Sequence, residues 1–160
     1  MALIHNLLVD WGSFFANHSL VRTIVSFAHV GGLVAAGGAA VAIDRELLAV
    51  MRLDDVARQR LLRTLHSTHR LVVAGLVFVT ISGILLFAAD VDTYLYSRVF
   101  WIKMALLALL TVNGLVLVAA KRRAEEGRAA AWSTLRATAI ASMALWFLVT
   151  LGGAALPNIG

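Results

Sequence analysis

Four apolar runs, each about as long as a bilayer is thick, constrain this chain more than any other feature. They occupy residues 20–43, 71–89, 99–120 and 135–156. A helix of ~20 mostly apolar residues crosses the hydrocarbon core, so each run can span. With 61% of its 160 residues hydrophobic, the chain carries more apolar surface than a water-soluble fold of this size can hide. Four spans use roughly half of the residues, which leaves no room for a second domain. The expected fold is therefore all-α: a single membrane domain over 1–160, an integral-membrane up-down four-helix bundle whose short connections make neighbouring helices antiparallel.

The basic residues sort between the runs. Arg45, Arg52, Arg58, Arg60, Arg63 and Arg70 lie between the first and second. Lys121, Arg122, Arg123 and Arg128 lie between the third and fourth, with Arg136 at the start of the fourth. The opposite side has Arg22, Arg98 and Lys103. The positive-inside rule places both arginine-rich loops in the cytoplasm and both termini outside. It also accounts for the net charge of +5 without invoking nucleic acid as a partner. There is no cysteine, so disulfides, iron–sulfur clusters and thiolate metal sites are excluded.

The remaining segments punctuate the spans. Leu3, Ile4, Leu7, Leu8, Trp11, Phe14 and Phe15 recur at helical spacing. They predict an amphipathic helix over 1–17 lying on the outer surface, with Trp11 as an interfacial anchor. The first residues lack a basic stretch and a cleavage site, so no signal peptide is read. Asp54 caps a helix over 56–64 that runs into the second span. Residues 90–96 read as a short outer loop with Tyr94 and Tyr96 at headgroup level. Gly127 breaks the inner loop, and Pro157, the one proline, is expected to stop the last helix.

Chemistry inside the spans is sparse. His29 is the one histidine well within a run, and polar groups at that depth face the bundle interior. Gly32, Ala36 and Ala40 share its helix face, with Gly31, Ala35 and Ala39 in a parallel row. Such a stripe either admits a neighbouring helix closely or leaves room for a flat macrocycle beside a histidine ligand. His66 and His69, at i and i+3, share one face and suit a metal or a haem iron; a solvated interfacial pair beside anionic lipid is the other reading. His29 lies ~10–13 Å below the outer surface and His69 ~20 Å from its level, so one iron cannot join them. His5 and His18 lie nearer His29, which leaves an outer-side site open.

Lys103 sits one turn inside the third run, at about the depth of His29. It either lines a polar pocket with His29, open to a quinone or a haem propionate, or snorkels to the headgroups. Asn113 is expected to hydrogen-bond across to another helix, with Ser82 or Ser142 as partner. Met104 and Met143 are soft potential copper ligands, though single methionines on apolar helices usually pack. No phosphate loop, nucleophile motif or intramembrane acid is read. The absence of an acid argues against proton-coupled transport.

Two stretches carry a resemblance. Residues 26–32 read Ser-Phe-Ala-His29-Val-Gly-Gly and are followed by Asp44-Arg45-Glu46. Further on come Gly75-Leu76, Ser82-Gly83, Asp90, Thr93-Tyr94, Phe100-Trp101-Ile102-Lys103-Met104 and Asn113. Over residues 25–117 the chain resembles a family of small, uncharacterised four-helix bacterial membrane proteins, distantly similar to the membrane domain of copper-resistance D-type proteins. The resemblance implies a multi-pass protein of the bacterial inner membrane and carries over no catalytic residue. His66 and His69 depart from the family pattern. The facing histidine pairs of four-helix b-type cytochromes are also unmatched.

The function expected from these residues is a haem-binding or electron-transfer module. His29, His66 and His69 are candidate ligands of a haem b iron or a metal, and Lys103 is part of the cofactor site. The alternative is a non-catalytic accessory subunit that packs against other membrane subunits or forms a homo-oligomer. Copper handling is the weaker alternative. No residues suggest an enzyme acting on its own.

Overall fold

The computed structural model describes residues 2–51, 53 and 55–159, with side chains at all of these except 2, 4, 55, 59–69, 157 and 159. Six helices follow one another: α1 (Ala2–Asn17), α2 (Ser19–Val50), α3 (Asp55–Ala89), α4 (Val91–Tyr96), α5 (Arg98–Glu125) and α6 (Ala131–Ile159). No strand occurs among the described residues. The four long helices each hold a stretch long and apolar enough to cross a membrane. Their surfaces fit that setting: Phe27, Phe78, Leu115 and Phe147 stand 64–76% exposed, as lipid-facing side chains do.

The contact register sets the helix directions. His29 meets Val79 and Ser82, Gly32 meets Val79 and Gly75, and Gly75 meets Ala36. Positions that climb α2 therefore meet positions that descend α3. In the same way Lys103 lies on Gly152 and Gly153 while Asn113 reaches Thr138, so α5 and α6 also run in opposite directions. One end of the molecule thus holds the arginine-rich turns, and the other holds α1, α4 and the last turn of α6.

Packing is uneven around the four helices. α2 lies against α3 and α6, and α6 lies against α5, but α3 and α5 barely touch. Near α4 these two are joined by Phe87, which stacks on Phe100 at 5.4 Å and neighbours Tyr94. Toward the arginine-rich end they separate. The core follows the well-packed side. Leu47, Ala120, Ala124, Ala131, Leu135 and Ala139 form one cluster at the arginine-rich end. Ala36, Ala40, Leu110, Trp146 and Val149 form a second at mid-height.

The small-residue stripe is used by one of its two rows. Ala36 and Ala40 are buried, and Gly32 takes Val79 so closely that a methyl there would come within 3.0 Å of it. Ala35 is exposed, and Gly31 has only its own helix's Phe27 beside it. α3 therefore fills the stripe over Gly32 and Ala36 and closes that part of the face to a macrocycle, while Ala40 faces a cavity farther along α2.

The punctuation differs from expectation in three places. α2 continues past Ile43 to Val50, because residues 44–50 contain no breaker and Leu47 keeps the apolar period. The segment after Asp90 is the helix α4, with Asp90 Oδ1 accepting from the Thr93 amide at 3.3 Å and Ser97 Oγ capping α5 through the Phe100 amide at 3.2 Å. Trp11 donates its indole N–H to the Leu85 carbonyl at 2.9 Å, which ties α1 to α3. α6 runs through Pro157 to Ile159: so near the end of a helix a proline forfeits one hydrogen bond without dividing the helix. Gly127 does end α5, at φ +81, with its amide on Ala124 O and the Arg128 amide on Arg123 O, a glycine-terminated helix end. Asp54 lies outside the described residues.

Candidate functional site

Polar side chains inside the helices gather in two layers. The first lies in the half nearer α4. His29 Nδ1 stands 3.1 Å from Val79 O and 3.1 Å from Ser82 Oγ. Ser82 in turn donates to the Phe78 carbonyl at 2.6 Å, so its oxygen offers a lone pair to the ring. A carbonyl can only accept, hence Nδ1 carries the proton. In the neutral ring Nε2 then holds the free lone pair. No partner for Nε2 occurs among the described residues. Gly83 holds the imidazole from its other side: a methyl there would come within 3.2 Å of Cε1. A backbone-anchored Nδ1–H with a free Nε2 is how proteins orient a histidine that ligates metal through Nε2.

Lys103 lies on α5 in the half of the molecule nearer α4. Its stem runs along α6, with Nζ 3.5 Å from where a methyl on Gly153 would stand and Cβ 3.7 Å from the same position on Gly152. The two glycines let a long cationic side chain lie between helices instead of among lipid tails.

His66 and His69 belong to α3, but their side chains lie outside the described residues. The backbone places them ten or more residues before Val79, ~15–20 Å along the helix from the His29 level. His18 sits in the break between α1 and α2, exposed, with Nδ1 donating to Phe14 O at 2.8 Å and its ring stacked on Phe14 at 4.0 Å. No group of three or more His, Asp or Glu side chains gathers to hold a metal among the described residues. Met104 and Met143 are half-buried on α5 and α6.

The second layer was not anticipated. Asp44 is 3% exposed, on the same helix as His29 and ~22 Å farther along it. Asp44 lies just past the apolar run 20–43, on the part of α2 that continues to Val50 and keeps its buried face. Ser142 lines the same cavity as the Asp44 carboxyl, and Asp44 Oδ2 is buried without a partner among the described residues. Asn113 donates through Nδ2 to Thr138 O at 3.0 Å, so it does bond across helices, but to a backbone carbonyl and not to Ser82 or Ser142. Both groups line a cavity of about 340 Å³ where α3 and α5 separate. A signal existed in the sequence: Asp44 follows Ala36 and Ala40 at steps of four, on the buried stripe.

No family model matches the chain, and neither a curated protein nor a solved structure matches it.

Proposed function

We propose that the chain is an up-down four-helix bundle of the bacterial inner membrane that binds a b-type haem and serves in electron transfer. Both termini lie outside, and α1 rests as an amphipathic helix on the outer surface. The supporting observation is the state of His29. Its Nδ1–H is spent on Val79 O and Ser82 Oγ, which leaves Nε2 as a lone-pair donor at membrane depth. A haem iron bound there supplies one-electron chemistry. Lys103 is the cation available to a propionate. No second histidine stands at that level among the described residues, so a further ligand to the group would come from another chain, as in a homo-oligomer.

Purified protein from haem-replete cells should show a Soret band, with one haem per chain in a pyridine extract. His29→Ala should remove the band, whereas His66→Ala and His69→Ala should keep it. A protein with no Soret band and no extractable haem ends this reading.

A further inference from the structure

We infer a second ligand site, in the wedge between α3 and α5, that binds a hydroquinone-class amphiphile. The wedge is open because α3 and α5 are joined near α4 and separate toward the arginine-rich end. Its cavity of about 340 Å³ is at the small end of ligand pockets, ample for a single-ring head. Leu76, Leu110 and Leu117 supply apolar walls and Trp146 a flat aromatic one.

The polar groups in the recess choose the head chemistry. Asp44 Oδ2 is a buried acceptor without a donor. Asn113 donates one Nδ2 hydrogen to Thr138 O, and its Oδ1 is a second acceptor. The lining also holds Lys121, Arg122, Glu125 and Ser142, but the buried Asp44 Oδ2 is the atom left unmatched, and it calls for a donor on the ligand because an unmatched buried polar atom is costly. The charges nearby do not call for an ion. Lys121 pairs with Glu125 at 3.6 Å, and formally Lys121 and Arg122 cancel Asp44 and Glu125. A neutral aromatic diol meets these conditions: two hydroxyls donate, the ring lies against Trp146, and an apolar tail leaves between α3 and α5 into lipid. The site is independent of the haem reading, since none of its residues belongs to the His29 layer.

Binding of a decyl-substituted hydroquinone to the full chain in phosphatidylcholine nanodiscs tests the inference, with empty nanodiscs as the partition background. Saturable binding of one ligand per chain is expected. Asn113→Leu and Asp44→Leu should each weaken it about tenfold, the loss of one buried hydrogen bond. Gly38→Ala, whose added methyl meets nothing within 4 Å, should leave it unchanged. The oxidised quinone, which has no hydroxyl to donate to Asp44 Oδ2, should bind at least about tenfold more weakly. Leu117→Trp should abolish binding by filling the wedge, which keeps the test decisive if the Asp44 variant misfolds. The inference is overturned by binding no greater than to empty nanodiscs, by variants that bind like the parent, or by a copurifying protein subunit that fills the wedge.

Discussion

Tyr94 shows how a single residue can report on the end of the molecule that holds α4. It packs beside Phe87 and Phe100, outside the spans, and burial, followed by the Asp90 carboxylate, pushes its phenol above the usual tyrosine value. The unfolded chain therefore releases this proton first. The contribution to stability is intact below about pH 10 and falls as pH rises through the ordinary tyrosine range. Tyr94→Phe should remove the later-titrating phenolate from the ultraviolet absorbance and lessen the alkaline loss of thermal stability. A single unchanged titration step would contradict it. His29 was legible in the sequence as a buried polar group, but its protonation pattern was not, because that depends on Val79 and Ser82, fifty or more positions away.

At the scale of the element, the seam between α2 and α3 is tightest at Gly75. A methyl there would stand 2.7 Å from Ala36 Cβ, and neither partner has a side chain that can swing aside. Gly75→Ala should cost about 1–3 kcal/mol by overpacking, read as a lower unfolding midpoint in detergent. Gly38 on α2 has nothing within 4 Å of its added methyl, so Gly38→Ala should be neutral or slightly stabilising. Equal losses at both positions would refute the packing account. Helix existence was legible from the runs, and helix length was less so. α2 extends past the apolar stretch because Asp44 and Leu47 bury against α6 and α5 neighbours, a tertiary compensation that hydropathy does not register. Residues 91–96 form a helix because Asp90 caps its start through the Thr93 amide and the Ser97 amide bonds the Tyr94 carbonyl at its end.

For the molecule as a whole, the proposed topology makes a direct forecast. The chain has no native cysteine, so single cysteines report cleanly. Asp92→Cys should react with an impermeant maleimide added to intact cells. Arg128→Cys should react only after the membrane is opened. Labelling of both from the same side would refute the bundle's placement. The uneven packing also belongs to this scale. Each helix carries apolar residues around most of its surface, and in lipid such surfaces need no protein partner. The thin contact between α3 and α5 is therefore tolerated, and the wedge can persist.

The sequence by itself determined the solvent, the number of spans and the sorting of charge between the two ends, because transfer of backbone and arginine side chains into hydrocarbon is costly wherever they fall in the chain. It also singled out His29 and Lys103 as polar groups at one depth. Only the tertiary structure decided which face each helix shares with which neighbour. That choice set α3 on the small-residue stripe at Gly32 and Ala36, laid Lys103 along the glycines of α6, buried Asp44 beside Ser142, and left α3 and α5 apart. Hydropathy measures how apolar a surface is, whereas these outcomes depend on shape and on hydrogen bonds between residues far apart in the chain.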